Sequence, residues 1–144
     1  EGLRPTLGDS RCVLTEFSLA CELAFMRDRC YALLSHGYEP VIAHAERYRE
    51  LVKHPDAVRD LVNMGAYIQV NASSILGDDG FGIRRFCRKL MKEDLVHFVG
   101  SDAHNMKDRK PQIGKCAEFL AKKMGRGYME KLLVENPREI LEGR

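Results

Sequence analysis

VHFVGSDAHN, Val96 to Asn105, joins an apolar run to a cluster of polar residues. Its apolar first half reads as a buried strand, and its end delivers Asp102 and His104, two metal-ligand residue types spaced i, i+2. Where a strand runs out, that spacing sends both side chains to the same side. In sheets fed by helices, the C-terminal end of a strand is where ligands bind and chemistry happens. Asp-x-His alone is a weak signal, because a surface loop carries it as easily. It gains weight if other strands of the chain end likewise.

Upstream, three more stretches do. RCVLTEF, Arg11 to Phe17, is a short β-rich run with Glu16 near its end, and Ser18 offers an N-cap for a helix. In that helix Leu19, Leu23, Met26, Cys30, Leu33 and Leu34 recur at helical spacing until His36 and Gly37 close it. PVIAHAERY follows as an apolar strand from Pro40, ending on His44 and Glu46, with Arg47 next. Pro55 suits the first position of a helix facing inward through Ala57, Val58, Leu61 and Val62, which Gly65 stops. AYIQVN, Ala66 to Asn71, is the third strand, with Asn71, Ser73 and Ser74 at its exit. GDDGFG then reads as a lead-in loop with room to move, before a helix striped by Ile83, Phe86, Cys87, Leu90 and Met91.

Downstream of the opening motif, Ile113, Cys116, Ala117, Leu120, Ala121 and Met124 trace a long amphipathic helix, broken at Gly125 and Gly127. NPREIL closes the chain as a helix start, with Asn136 as N-cap, Pro137 at the first position and Glu139 completing the box. The strands begin near residues 12, 40, 67 and 96, a repeat of about 28 that fits successive right-handed βα units in a parallel α/β sheet. A closed barrel of such units takes about 250 residues, so four of them make half of one. Unpaired edges and an uncovered face then predict a partner half or a second copy, and self-association.

Bulk composition narrows the alternatives. The chain has 144 residues, 44% of them hydrophobic, enough for one domain with a core, read as residues 1–144. Twenty-three basic against 21 acidic residues leave a net charge of +2, which gives no global pull toward nucleic acid or membrane. No apolar run reaches the roughly 18 residues of a membrane span. Five cysteines without a C-x-x-C pair suggest reduced, buried thiols in a cytoplasmic protein.

Glu16, His44, Asp102 and His104 all fall at predicted strand ends, which gathers them at one rim. Carboxylate with imidazole suits Mn, Fe or Zn, where the metal activates a water and polarises a phosphoryl or carbonyl oxygen. Singly, each has a plainer explanation: a core histidine, a salt-bridge partner, a helix cap. Together they favour a metal site. Arg47 and Arg109 follow the two histidine segments and suit bidentate binding of a phosphate. His97 reads as structural, His54 as a surface residue and His36 as a helix C-terminal residue. Cys21 and Arg27 have the C-x5-R spacing of cysteine-dependent phosphatases, but the residues between them belong to an amphipathic helix, not to a loop of amides that cradles phosphate.

EPVIAHAERY, GAYIQVNASSILG, VHFVGSDAHN and NPREIL, in that order, resemble the C-terminal half of the polymerase-and-histidinol-phosphatase (PHP) superfamily, in the branch of manganese-dependent tyrosine-protein phosphatases of capsular and exopolysaccharide operons. The resemblance runs over nearly all of the chain. It implies the C-terminal part of a distorted (β/α)7 barrel with metal ions at its rim, with Glu16, His44, Asp102 and His104 as metal ligands and Arg47 and Arg109 on the phosphate. It implies hydrolysis of phosphotyrosine on a protein, a polysaccharide-export tyrosine kinase being the expected partner. Two departures stand out. The H-x-H strand with which the family begins has no match in these residues, so the ligand set is incomplete; and the usual HPERY reads His44-Ala45-Glu46-Arg47-Tyr48. The alternatives are a non-catalytic truncated relative or assembly module, and a phosphatase of sugar or histidinol phosphates.

Overall fold

The computed structural model describes residues 6–7, 10–101 and 109–142, with side chains for all of these except 109–111 and 141. Strands β1 (Cys12–Thr15), β2 (Glu39–Ile42), β3 (Tyr67–Asn71) and β4 (Phe98–Gly100) pair in parallel in the order β1-β2-β3-β4. Each begins within two residues of its expected start. Parallel neighbours need crossovers, and each crossover carries helix: α1 (Leu23–Ser35) after β1, α2 (Arg49–Lys53) and α3 (Asp56–Met64) after β2, α4 (Ala72–Leu76) and α5 (Phe81–Lys92) after β3. After β4 come α6 (Arg109–Lys123), α7 (Arg126–Glu130), a π-helical segment Lys131–Glu135 and α8 (Asn136–Leu141).

Alternation along the strands divides the sheet into two unequal faces. Ile42 pairs with Ile68 and Val70 with Val99, and these pack against the helices around Met26, Cys30, Leu61, Leu90 and Leu120. Their neighbours Cys12, Val41, Tyr67 and Phe98 point the other way, where Ile140 of α8 and Leu7 cover a much smaller cluster. At the end of that second face a Cβ on Gly100 would lie 2.8 Å from the Gln69 side-chain nitrogen and 3.3 Å from Asn71 Oδ1. Glycine is needed there because the amides fill the space in front of β4. Among the described residues no helix is long and apolar enough to cross a membrane.

Three expectations are corrected. Ser18 does not cap α1, which begins at Leu23. Residues 18–22 form a turn instead: Cys21 N–H donates to the Ser18 carbonyl, and the Leu19 carbonyl accepts from Arg49 N–H of α2, leaving Leu19 57% exposed. Asn136 is not an N-cap, because Glu135 and Asn136 both have helical dihedrals and no side-chain cap forms. The helix runs on into α8 across the π segment, whose wider turn gives room for the ring and missing N–H of Pro137. Asn136 Nδ2 instead donates to the His97 carbonyl at 2.8 Å, tying α8 to β4. The loop before α5 is pinned, since Asp79 Oδ2 accepts from Ser73 and Ser74 hydroxyls at 2.8 and 2.7 Å.

Candidate active site

Glu16 follows the last residue of β1, and His44 lies two residues beyond β2. Ala43 N–H donates to the Thr15 carbonyl at 3.0 Å, carrying the β1–β2 pairing one step past the strands, so both residues sit at one rim. Glu16 is exposed and lines an open cleft of about 840 Å³ with Phe17, Cys21, Phe25 and Arg29. His44 has φ 37° and ψ 56°, the left-handed region that a residue with a Cβ rarely adopts. Its Nδ1 is buried with no hydrogen-bond partner among the described residues. Strain and a ring nitrogen without a partner among the described residues, at the C-terminal rim of a parallel sheet, make His44 a candidate ligand position.

Tyr48 holds that position. It is fully buried, its hydroxyl accepts from Phe17 N–H at 3.1 Å, and its ring lies 5.6 Å from Phe17 and 5.4 Å from His44. One side chain therefore braces the segments after β1 and after β2. The 3-10 turn Ala45–Arg47 between them exposes Arg47 beside His44 and turns Glu46 inward. Glu46 is 1% exposed, and its Oε2 accepts from Asn71 N–H at 3.1 Å and the Ser74 hydroxyl at 2.6 Å. Ser74 has one proton for Glu46 and Asp79; while it serves Glu46, Ser73 serves Asp79. Glu46 thus stitches the exit of β2 to that of β3. The His44/Glu46 spacing, read as a chemical pair, is split by the 3-10 turn into one rim residue and one structural residue.

Asp102 and His104 lie outside the described residues, as does the side chain of Arg109, whose backbone opens α6. Among the described residues no three His, Cys, Asp or Glu side chains cluster as a metal group. The structure places Glu16 and His44 at one rim, with Arg47 three residues after His44 in the 3-10 turn. His97 is structural: its Nδ1 accepts from Ile68 N–H at 3.0 Å, and burial first, then Lys131, holds the imidazole below its ordinary range. His36 contacts the Ala32 carbonyl at the end of α1, and His54 stays at the surface near Glu50.

The cysteines offer no nucleophile. All five are buried thiols, and burial pushes Cys12 and Cys30 up to about 11 and Cys116 to about 12. Cys21 borders the cleft, but burial and then the Glu22 carboxylate raise its pKa, the reverse of what activation requires.

The family model for capsular polysaccharide synthesis proteins CpsB/CapC matches residues 1–142. The chain belongs to this family. It is 37% identical over 142 residues to the tyrosine-protein phosphatase CpsB of Streptococcus pneumoniae, covering 95% of this chain and 58% of that protein. With the tyrosine-protein phosphatase YwqE of Bacillus subtilis it shares 34% over 139 residues, covering 96% of this chain and 54% of that one. A solved structure from the pair YwqE of Bacillus subtilis and CpsB of Streptococcus pneumoniae, described as unique metal-dependent tyrosine phosphatases, superposes with a TM-score of 0.85. Its sequence is 34% identical, and the match takes in 96% of this chain and 56% of that one. The chain thus spans somewhat more than half the length of these CpsB/CapC relatives.

Proposed function

We propose that this chain is the C-terminal part of a PHP-type (β/α)7 barrel, one partial domain over residues 1–144, whose activity is metal-dependent hydrolysis of phosphotyrosine on a protein. The observation that carries the reading is His44: a strained rim histidine whose buried Nδ1 has no partner among the described residues. An imidazole nitrogen left open beside an exposed carboxylate fits a divalent cation in kind, and mixed oxygen and nitrogen donors suit manganese, with iron or zinc as the alternatives. Glu16 and His44, with Asp102 and His104, would hold it. A metal in such a site activates water and neutralises developing charge on a phosphoryl oxygen.

The chain's own residues do the rest. Arg47, exposed beside His44, binds the phosphate of the substrate and holds it in place, with Arg109 as its counterpart. Glu46, Tyr48 and Ser74 fix the turn that presents His44 and Arg47, and the cleft beside Glu16, lined by the edge-to-face pair Phe17 and Phe25, receives the tyrosyl ring. The substrate is a tyrosine-phosphorylated protein of capsule export, such as a polysaccharide-export kinase, and the compartment is the cytoplasm, consistent with five unpaired thiols. The outer strand β1, met on its free side by the Thr6 bridge, and the exposed Tyr31 (67%) of α1 support association with a complementary half or a second copy.

One sample tests the reading twice. Light scattering gives the mass of the 144-residue chain, and turnover of a phosphotyrosine peptide with added manganese gives its activity. The expected result is an oligomer with little turnover, and full turnover once the barrel is completed in a full-length relative carrying these residues. Preference for a sugar phosphate or histidinol phosphate over the peptide would overturn the substrate assignment.

A further inference from the structure

Helix α5 carries five cations in twelve residues, Arg84, Arg85, Arg88, Lys89 and Lys92, within a chain whose net charge is only +2. They line one groove of about 500 Å³ with Phe81 and a single carboxylate, Glu93. Arg84/Arg88, Arg85/Lys89 and Arg88/Lys92 are like-charge pairs at i, i+4, which destabilise a helix. Glu93 offsets part of this, taking Lys89 at 2.6 Å and Arg59 at 2.7 Å. Arg88 lies 4.4 Å over the Phe119 ring, with its Nε buried and unpartnered among the described residues. Burial first, and then the charge of Arg84, holds its guanidinium below the ordinary range. At the near end of the groove Phe81 is 68% exposed, with Arg84 5.4 Å over its ring.

Fold stability does not account for this face, since like charges repel and an exposed phenylalanine gains nothing from water. We propose that the Phe81–Lys92 face of α5 is a docking site for phosphotyrosine, apart from the rim, that holds one phosphorylated tyrosine of a multiply phosphorylated protein segment while another is hydrolysed. The proposal rests on the phosphotyrosine reading for its choice of ligand. Phe81 supplies an aromatic surface for the tyrosyl ring, and Arg84 and Arg85 supply guanidinium donors that match a phosphate dianion. Arg88 and Lys92 continue the positive track for acidic residues that follow.

The test is fluorescence anisotropy of a labelled peptide bearing two phosphotyrosines, titrated with the 144-residue chain in EDTA so that metal plays no part. Arg85→Glu with Lys92→Glu, both at exposed positions, should weaken binding by about tenfold or more, and Phe81→Ala by about threefold to tenfold. Lys53→Glu, an exposed cation of α2 outside this groove, should leave it unchanged. Equal binding of the unphosphorylated peptide, retention of affinity in the charge-reversed variant, or binding to anionic phosphatidylserine vesicles in preference to the peptide would each overturn the proposal. Turnover separates the two readings. In a full-length relative carrying the same α5 substitutions, kcat on free phosphotyrosine should hold while KM for the peptide rises. Absence of phosphotyrosine turnover in the unsubstituted enzyme would defeat the functional reading while leaving the binding result to stand or fall alone.

Discussion

Glu16 and Glu46 are two carboxylates placed just beyond neighbouring strands, and their surroundings are opposite. Glu46 is buried under an amide and a hydroxyl that both donate to one of its oxygens. Glu16 stands exposed at the edge of an open cleft. A buried carboxylate tied to the neighbouring strand exit through one oxygen serves the fold, even though its Oε1 has no partner among the described residues, whereas one left to solvent at the same rim as His44 is open to a ligand. Position after a strand is common to both, so position alone does not assign a role. Partners do.

The sharpest way to break this contrast is to remove the exposed carboxylate. Glu16→Gln and His44→Gln, made in a full-length relative carrying these residues, should each cut metal-dependent phosphotyrosine turnover by about 100-fold or more, since loss of even the outer partners of metal ligands costs about 10–100-fold. Denaturation curves should stay within about 0.5 kcal/mol for Glu16→Gln, an exposed position. A Glu16 variant that keeps its turnover would remove that residue from the site. His44→Gly, which relieves the left-handed backbone, should leave the protein as stable as before or more so while abolishing activity.

The inward carboxylate should behave in reverse. Glu46→Ala leaves Asn71 N–H and the Ser74 hydroxyl without their acceptor in a buried place, at a cost of about 3 kcal/mol in urea unfolding. Activity should fall only as the protein unfolds or as Arg47 loses its setting. A stability loss below about 1 kcal/mol would show that Asp79 takes over both donors.

Much of this was legible in the sequence and some of it was not, for reasons that can be named. Strand positions came from apolar runs at even spacing, which report burial directly. The five-residue helices α2 and α4 carry too few turns to show a period, and they exist because the chain must leave β2 and β3 across the rim. The start of α1 was hidden because the Leu19 carbonyl is claimed by Arg49, thirty positions later. Glu46 was read beside His44 because i, i+2 spacing implies one side only while the strand continues; the 3-10 turn ends that rule one residue after His44. Tyr48 could have been found, since a tyrosine closing a charged HAER segment has a ring to bury and a hydroxyl to satisfy.

A smaller effect tests the far end of the sheet, where His97 is used as a hydrogen-bond acceptor. Its folded pKa lies below the unfolded value of 6.5, so on acidification the unfolded chain takes up the proton first. The stability tied to neutral His97 is complete above 6.5 and is lost as pH falls through that value toward the folded one. Melting followed from pH 7.5 to 5 should lose about 1 kcal/mol on account of the Ile68–His97 bond. In His97→Gln, whose amide oxygen accepts at any pH, that part of the slope should vanish; an unchanged slope would assign it to carboxylates elsewhere.

The smallest expected effect is the one that separates metal chemistry from thiol chemistry. Cys21 lies in the same cleft as Glu16 and six residues before Arg27, the spacing on which a phosphocysteine mechanism depends. Its surroundings oppose that mechanism. Burial and the Glu22 carboxylate raise the thiol, its proton points to the Glu22 carbonyl at 3.5 Å, and the amides from Met26 onward are committed to helix bonds beginning with Met26 to Glu22 at 3.2 Å. Arg27 sits exposed on α1. Cys21→Ser in a full-length relative carrying these residues should therefore change kcat/KM by less than about twofold, because serine keeps the size and the donor. Iodoacetamide at pH 7 should label Cys21 slowly and without loss of turnover beyond what bulk in the cleft imposes, and the serine variant should resist even that. A trapped phosphocysteine, or a serine variant without activity, would transfer the chemistry from Glu16 and His44 to the sulfur and dissolve the contrast between the two carboxylates.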